Sequence, residues 1–583
     1  MTRLPIVPLC LTLAMIVAPA AHASTVPETV IQDDALFLHS SDAEIRTGLQ
    51  QARDIGIGRV RLTAGWSVIA PSPAQETVPD GDLSDPAAYP RENWTNLDRA
   101  VRLTVEAGMR PMIDIAFWAP RWAIHGQAGE ETRLRTRIDA AQYARFAEAV
   151  ARRYAGGYAP PNRSASAVTA LAPSPDANLL DSLFGHKRTA AQIPLATVPQ
   201  EPALPSVDLF TIWNEPNHPG FLMPQWRRQG GRYVPSSPDL YRAMVRATYP
   251  AIKRAAPNSR VLIGGTSSGG SSTPGRSGVP PLLFLRRFAC VDQRLRPITS
   301  GSCANFRPIP GDGWSHHPYS LRTLPDVLPK DTDKLPVAAT GRLTRTLRAL
   351  VAARRLAPAN ATVYMTEYGY ETSPPDPQAP FGPQQQGALL AWAEYLATRD
   401  PAVVMWPQFQ LRDRPGDPAG PRMRPYGDWQ TGLLYADGTP KPAYAQYATP
   451  SHAACQRIGK RRFIAVWGRL RSAQQPADAE LQIRVPSPAM AAQTETGWRT
   501  VLSGSRPGRG SVHAAQNQAP TAGAAIARYI PWRPNLQIRL RWQTNSPQAA
   551  QAGTALTPTA CPAPGTHATQ RNPLPRHGAA RRR

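Results

Sequence analysis

The sequence predicts an α/β fold, a closed (β/α)8 barrel followed by a small C-terminal β-domain. Between about residues 33 and 448 the chain alternates short β-rich runs with amphipathic helical stretches, which is the pattern of βα units around a parallel sheet. Eight strand candidates can be counted there, the number that a TIM barrel requires. After Thr449 the pattern changes to strand-like alternation with Gly- and Ser-rich breaks, which predicts the β-domain.

The strand candidates follow one another along the barrel region, and the first has the weakest pattern. They are Ala35–His39, Arg59–Thr63, Arg110–Ala116, Val207–Trp213, Arg260–Gly264, Gly313–His317, Thr362–Thr366 and Val403–Gln410. Loops after barrel strands lie at the carboxyl ends, where this fold places its chemistry. We therefore expect three loops, after the fifth, seventh and eighth strands, to shape a substrate cleft. They are Thr266–Gly278, Glu371–Pro383 and Leu411–Trp429.

The segments around the barrel are predicted from composition. Residues 1–23 read as a secretory signal, with Arg3, an apolar run and a small-residue cleavage site, and an uncleaved anchor is the alternative. The run is shorter than the roughly 20 residues that span a bilayer, so we expect an exported protein, secreted or in the cell envelope, with no stable membrane insertion after cleavage. Residues 156–206, rich in Pro and Ala, are expected to be a decorative or disordered insert on the face opposite the chemistry.

Beyond the barrel, residues 449–561 form the predicted β-domain, and residues 562–583 a disordered basic tail. The strand candidates of the β-domain are Phe463–Leu470, Ala479–Val485 and Asn535–Trp542.

Four cysteines remain once Cys10 leaves with the signal, namely Cys290, Cys303, Cys455 and Cys561. An even number in an oxidising compartment predicts two disulfides. Local pairing, Cys290 with Cys303 and Cys455 with Cys561, is favoured, although three connectivities are possible. None of the cysteines has metal-ligand spacing, and we predict no metal site.

The formal net charge of +25 comes largely from arginine. It is compatible with attraction to acidic polysaccharide, anionic lipid or nucleic acid, or with a coding bias expressed on a solvated surface, and we favour the last. Aromatic and basic modules that read nucleic acid are missing from the sequence, so no nucleic-acid partner is predicted. No Gly-rich phosphate loop follows a strand in the required context, and no organic cofactor is expected.

Two strand candidates end in a glutamate. Glu215 closes the apolar run Phe210–Trp213 within an Asn-Glu-Pro sequence, and Glu367 closes the run Val363–Thr366. A barrel brings the carboxyl ends of its fourth and seventh strands to the same face. Two carboxylates about 5 to 5.5 Å apart are what a retaining glycosidase uses, one as acid/base and one as nucleophile. Burial at a strand end raises the pKa of a glutamate, as a general acid requires.

The motifs around these glutamates resemble those of clan A glycoside hydrolases. Trp213–Asn217, His317–Tyr319 and Thr366–Gly369 are most similar to family 39 and its bacterial exopolysaccharide-endoglycosidase relatives. The resemblance covers about residues 33 to 448. It implies hydrolysis of O-glycosidic bonds by double displacement, with Glu215 as acid/base and Glu367 as nucleophile, and it implies that Asn214 binds the 2-hydroxyl of the sugar.

The same resemblance gives roles to three further residues. Arg61, at the end of the second strand, is similar to the arginine that keeps the nucleophile of this clan ionised. Tyr319 and His317 match its His-x-Tyr pair, in which the phenol orients the nucleophile. His316 is the competing histidine, and the motif register favours His317.

Four tryptophans near strand ends are predicted to stack on the apolar faces of sugars. They are Trp66, Trp118, Trp122 and Trp406. Each could instead belong to the core. The leading prediction is an exported retaining glycoside hydrolase that cleaves a polysaccharide by endo-action, and an exo-acting glycosidase or transglycosylase using the same residues is left open. The alternative is a non-catalytic carbohydrate-binding protein of the cell envelope built on the same barrel.

Overall fold

A closed parallel β-barrel forms the larger part of the chain. The computed structural model describes residues 26–126, 134–160, 202–271, 277–416, 426, 429–458, 461–471, 476–485, 497–503, 524–533, 535–544, 551–552, 556 and 558. The eight barrel strands are β1 (Glu28–Gln32), β2 (Arg59–Gly65), β3 (Arg110–Ala116), β4 (Leu209–Ile212), β7 (Arg260–Ser267), β8 (Trp314–His317), β9 (Val363–Met365) and β10 (Val403–Phe409). They are all parallel, and β10 pairs with β1 to close the barrel, so the predicted fold class is confirmed.

The first strand is not the one predicted. Ala35–His39 lies within helix α1 (Asp34–His39), because the side chain of Asp33 accepts a hydrogen bond from Leu36 N–H at 3.1 Å and caps the helix. The strand is the preceding run β1, whose Val30 and Ile31 are fully buried and which pairs with both β10 and β2. The other seven strand predictions overlap observed strands.

The remaining described helices surround the barrel and follow its strands. They are α2 (Asp42–Asp54), α3 (Trp66–Ile69), α4 (Arg91–Glu106), α5 (Ala140–Arg153), α6 (Ser237–Ala255), α7 (Pro281–Phe288), α8 (Thr340–Ala352), α9 (Pro383–Thr398) and α10 (Pro442–Ala448). Short 3-10 turns lie at Pro86–Ala88, Arg121–Ala123, Gly301–Cys303, Val337–Ala339 and Pro358–Ala361. A two-stranded hairpin, β5 (Trp226–Gln229) and β6 (Arg232–Pro235), follows β4.

The barrel interior is filled in layers, because alternate residues of each strand point inward. At the amino ends of the strands, buried Arg59 lies between Glu28 and Asp208. Above it comes an apolar layer formed by Val30, Met112, Leu209, Leu262, Tyr364 and Met405. Gln32 lies two residues after Val30 on β1, and Arg61 lies two residues after Arg59 on β2. The two side chains contact each other above the apolar layer. The carboxyl-end mouth of the barrel therefore carries a buried polar layer on an apolar floor.

The C-terminal region contains two antiparallel sheets with a core of their own. The first has the order β11 (Ser451–Ile458), β12 (Arg461–Leu470), β15 (Ala524–Pro531). The second has the order β14 (Arg499–Ser503), β13 (Pro476–Arg484), β16 (Gln537–Thr544), β17 (Gln551–Ala552). The three predicted strands overlap β12, β13 and β16, and the core between the sheets includes Ile464, Leu481 and Trp542.

The C-terminal sheet is tied to the barrel by a buried ionic cluster. Glu394 of helix α9 accepts from Nη1 of Arg469 at 2.9 Å and also contacts Nη2 of Arg471. Arg469 donates in addition to the carbonyl of Pro27, just before the first barrel strand, at 2.8 Å. Gly56, with φ 77°, packs so tightly on the Arg471 backbone that a side chain there would collide with it. These contacts join helix α9 and the start of β1 to the C-terminal region.

Cys290 and Cys303 form the predicted disulfide, with their Cα atoms 5.6 Å apart. Cys455 is disulfide-bonded as well, and its predicted partner Cys561 lies outside the described residues. The predicted signal, most of the 156–206 insert and the basic tail also lie outside them. Within the described part of the chain, no helix is long and apolar enough to cross a membrane.

We expect Glu394→Gln to lower the free energy of unfolding by about 3 to 5 kcal/mol, because two buried guanidinium groups would lose the carboxylate that they share. Thermal unfolding followed by circular dichroism measures the effect. Glu106→Gln is the matched control, since its ion pair with Arg46 is half exposed and is worth about 1 kcal/mol or less. Equal losses in the two variants would contradict this account of the ionic cluster.

Candidate active site

Glu215 lies just beyond strand β4 in an unusual backbone conformation. Trp213 and Glu215 both have positive φ, 64° and 37°, so the chain turns sharply at the barrel mouth. The Glu215 N–H donates to the carbonyl of Gly265 at 2.9 Å, and this fixes the turn. Gly265 itself has φ 54°, and a side chain there would press on the Trp213 carbonyl at 3.2 Å. A glycine that had no assigned role in the sequence therefore lets β7 approach the Glu215 turn.

Glu367 follows strand β9 and is held on both carboxylate oxygens. Nη1 of Arg61 lies 2.6 Å from Oε1, and the Tyr319 hydroxyl donates to Oε2 at 3.3 Å. Arg61 is 1% exposed and Glu367 is 8% exposed. The ion pair is thus almost removed from water, and its electrostatic attraction is stronger there than it would be on a solvated surface.

The two glutamates lie side by side with His317 between them. Donor atoms of Glu215, His317 and Glu367 all lie within 4.8 Å of one another. The Nδ1 atom of His317 is 3.0 Å from Oε1 of Glu215 and 3.5 Å from Oε2 of Glu367. His316 is directed elsewhere, because its ring nitrogens bond to the Thr266 hydroxyl and the Leu335 carbonyl. His317 is the histidine of the site.

Electrostatics give the two glutamates different properties. Burial raises the pKa of Glu215 well above its usual range, and the neighbouring charge of Glu367 raises it further. Burial also raises the pKa of Glu367, to about 7, although the charge and hydrogen bond of Arg61 lower it. Burial, together with Arg61, keeps the pKa of His317 low, so its ring is neutral. Glu215 is therefore the carboxyl that holds the proton, and Glu367 is the one that ionises first.

Asn214 lies next to Glu215 and shares the same arginine. Nη2 of Arg61 donates to Oδ1 of Asn214 at 3.0 Å, and Asn214 is 4% exposed. This bond fixes the amide, whose NH2 group remains the donor available for a bound molecule. The structure thus brings together Glu215, Glu367, Asn214, Arg61, His317 and Tyr319, the polar residues named from the sequence.

The four predicted tryptophans do not form a sugar-binding surface. They are between 0% and 5% exposed, so none offers a ring face at the mouth.

Trp66 packs against Trp122, Tyr143 and Phe146 in the core outside the barrel. Trp406 packs on Tyr368, and Trp118 donates to the Gly220 carbonyl. Trp122 donates to the Pro71 carbonyl. Their positions near strand ends reflect core packing.

Trp429 is the aromatic residue that the sequence reasoning missed. It is 40% exposed, and its ring stacks on Tyr319 with centroids 5.4 Å apart. The ring also makes an edge contact with Phe409, with centroids 5.9 Å apart. Tyr319 in turn donates to Glu367, so Trp429 is linked to the nucleophile candidate through one intervening ring. Its place at the end of the predicted cleft loop Leu411–Trp429 was the signal available in the sequence.

A metal ion is poorly suited to this cluster. Glu215, His317 and Glu367 are close enough to share one, as judged over the described residues. However, the guanidinium of Arg61 already contacts Glu367, and its charge opposes a divalent cation in the same buried space. The arrangement instead suits proton transfer by one carboxyl group and covalent attack by the other.

No protein-family model and no curated protein sequence matches the chain. Solved structures do match. FMN-binding beta-glucuronidase from Facaelibacterium prausnitzii L2-6 shares 12% identity at a TM-score of 0.35, over 92% of this chain and 56% of its own length. A GH5_18 variant from Bifidobacterium longum, crystallised with Manb1-4GlcNAc, shares 11% at 0.41, over 72% and 77%. A glucosidase from Croceicoccus marinus shares 13% at 0.40, over 89% and 96%.

This chain thus spans just over half the length of the glucuronidase. Sequence identities and TM-scores this low assign no family, and the barrel assignment rests on the strand order of the chain itself.

We expect Glu215→Gln to be more stable than the wild type at pH 8.5 but not at pH 5. The folded-state pKa of Glu215 is raised, so the protonated form stabilises the fold at low pH and this stabilisation is lost as the pH rises through that pKa. Glutamine mimics the protonated acid at every pH. Melting temperatures should differ by about 2 to 4 °C at pH 8.5. A pH-independent difference, or the same trend in the surface variant Glu106→Gln, would contradict the assignment.

Proposed function

We propose that the chain is an exported retaining glycoside hydrolase that cleaves O-glycosidic bonds of a polysaccharide by double displacement. Glu215 is the acid/base and Glu367 the nucleophile. The single observation that carries the proposal is the pair of carboxyl groups within 4.8 Å at the barrel mouth, of which Glu367 is ion-paired with Arg61. We also propose membership of clan A, with family 39 as the nearest resemblance, on the motifs around these residues.

The separation of the carboxyl groups favours retention of configuration. Retaining glycosidases hold them about 5 to 5.5 Å apart, whereas inverting enzymes leave about 6.5 to 9.5 Å so that a water fits between the base and the sugar. One oxygen of Glu215 lies within 4.8 Å of one oxygen of Glu367, which is close to the spacing of the retaining enzymes. Direct attack by a carboxylate on the anomeric carbon is the reaction that this spacing favours.

In the first step, protonated Glu215 donates its proton to the glycosidic oxygen as the bond to the anomeric carbon breaks. The carboxylate of Glu367 attacks that carbon from the opposite face and forms a glycosyl-enzyme ester. Arg61 and Tyr319 hold the two oxygens of Glu367, so the attacking atom is already aligned. The leaving sugar departs with the proton from Glu215.

In the second step, Glu215 is a carboxylate and accepts a proton from water, which attacks the anomeric carbon and displaces Glu367. The change of Glu215 from acid to base is favoured by the electrostatics of the two glutamates, because esterification removes the negative charge of Glu367. Without that charge the pKa of Glu215 falls, and Glu215 becomes a base when a base is required. Hydrolysis restores both groups to their starting protonation states.

Substrate contacts follow from the same geometry. The amide of Asn214, aligned by Arg61, can donate to the 2-hydroxyl, a bond that strengthens as positive charge develops on the sugar ring. Trp429 supplies the exposed ring face on which the apolar side of a sugar can stack. Both lie beside Tyr319 or Arg61 and hence beside the nucleophile.

We expect Glu367→Ala to lower kcat by about 10⁴-fold or more, because no other carboxylate can form the ester. Glu215→Gln should lower kcat by about 10² to 10⁴-fold, because the leaving oxygen is no longer protonated. Glu148→Gln is the control, since Glu148 is a buried glutamate on helix α5 that pairs with Arg152 and Arg254 away from the mouth. The assay is a screen against plant, fungal and bacterial polysaccharides, including uronate-containing ones, with products analysed by mass spectrometry.

The stereochemistry of the first product tests the mechanism. Proton NMR during the first turnovers should show the product anomer with the configuration of the substrate, and a fluorosugar should label the peptide that contains Glu367. The opposite anomer would rule out double displacement. If wild type and Glu367→Ala bind glycans equally but neither cleaves any polymer, the chain is the non-catalytic carbohydrate-binding protein instead.

We expect Trp429→Ala to raise KM by about 3- to 10-fold while kcat changes little, because a stacked ring binds substrate and transition state alike. Steady-state kinetics on the substrate found in the screen measures both constants. Trp532→Ala, which removes a half-buried ring beneath Arg462 in the C-terminal region, should leave KM unchanged. A loss confined to kcat would show that Trp429 acts by supporting Tyr319 and not by binding sugar.

A further inference from the structure

Arg61 has two carboxylate partners, and only one of them is at the reacting centre. Nη1 faces Glu367, while Nη2 lies 2.9 Å from Oδ2 of Asp114. Gln32 contacts Nη1 from β1, and Asn214 accepts from Nη2. All of these groups are more than nine-tenths buried. The guanidinium is therefore held by contacts from β1, from β3, from the turn after β4 and from Glu367.

Asp114 is itself held in place from the neighbouring strand. It is fully buried on β3, level with Thr63 of β2 on one side and Thr211 of β4 on the other. The hydroxyl of Thr211 donates to its Oδ1, which leaves Oδ2 for Arg61. An apolar residue at position 114 would continue the alternating pattern of the strand. A carboxylate there needs a partner, and Arg61 is that partner.

We propose that Asp114 is a positioning residue for Glu367: it acts through Arg61, anchoring Nη2 so that Nη1 meets the nucleophile and sharing the single positive charge with it. The inference rests on the proposed function in assigning Glu367 as the nucleophile. Asp114 touches no reacting atom, because the guanidinium lies between it and Glu367.

The charges around this pair determine the direction of the effect. Burial raises the pKa of Asp114 to about 6 although Arg61 lowers it, so the carboxyl is ionised near neutral pH. Its charge in turn raises the pKa of Glu367 against the effect of Arg61, which keeps the nucleophile more basic. The other titratable and charged groups facing Asp114 or Glu367 are Asp34, Tyr143, Glu215, Tyr241, His317 and Tyr319.

The test is Asp114→Asn, which keeps the size and one acceptor for Arg61 but removes the charge. We expect the acidic limb of the kcat/KM profile to move down by about 1 pH unit, because Glu367 would keep Arg61 to itself and ionise at lower pH. The kcat at the optimum should fall by about 3- to 10-fold, as a less basic carboxylate is a weaker nucleophile, with KM unchanged. Asp114→Glu keeps a carboxylate but is one methylene longer, so it should not recover the wild-type rate, because Arg61 would be displaced.

Thr211→Val gives a second route to the same charge. It removes the hydrogen bond that lowers the pKa of Asp114, so the same downward shift of the acidic limb should appear at a smaller size. Asp98→Asn is the matched control, because Asp98 also bonds to a buried arginine, Arg153, but lies between helices α4 and α5. It should lower the melting temperature and leave the pH profile unchanged.

A substrate-independent readout separates this inference from the proposed function. Infrared titration of the protonated carboxyl band, with the Glu367 contribution identified by subtracting Glu367→Gln, reports ionisation of that group directly. If the wild type cleaves nothing but the Glu367 midpoint is lower in Asp114→Asn than in the wild type, the positioning role stands and the hydrolase proposal fails. If the wild type is active but neither Asp114→Asn nor Thr211→Val moves the midpoint or the profile, Asp114 is structural only and the inference is overturned.

Discussion

The buried ion pair between Arg61 and Glu367 is the interaction on which the barrel mouth depends. Two neighbouring carboxyl groups in a site shielded from water cannot both be ionised unless a cation accompanies one of them. Of the two glutamates, Glu367 is the one in direct contact with Arg61, so the proton resides on Glu215. The asymmetry of an otherwise similar pair of glutamates is thus a property of one arginine on β2.

Burying Arg61 is possible because the whole barrel interior is organised around it. The apolar layer beneath excludes water, and the polar layer above provides acceptors from β1, from β3 and from the turn after β4. Parallel pairing aligns Gln32 of β1 with Arg61, and it places Asp114 of β3 two residues beyond Met112, the residue aligned with Arg61 on that strand. Closure of the sheet and ionisation of the nucleophile therefore depend on the same pairing of strands.

Much of this arrangement could be predicted from the sequence, for physical reasons that also explain the failures. Seven strands and both glutamates were found, because an apolar run that ends in a carboxylate is a local pattern. The first strand was missed, because a polar residue, Asp33, begins a helix immediately after β1. The buried tryptophans and the exposed Trp429 were misjudged, since exposure depends on what packs against a ring from distant segments. Asp114 was overlooked because its partner becomes visible only when the barrel closes.

The ionic cluster at Glu394 has a consequence for how the molecule can be divided. The change of pattern near Thr449 suggests a domain boundary at which the chain could be shortened. However, the two guanidinium groups that pair with Glu394 of helix α9 come from beyond that boundary. A shortened chain would keep a carboxylate in an apolar setting and leave the carbonyl of Pro27 without its donor. Grafting this barrel onto another module would therefore have to carry Arg469 and Arg471 along, so the smallest transferable unit extends just past the second β-strand after that boundary.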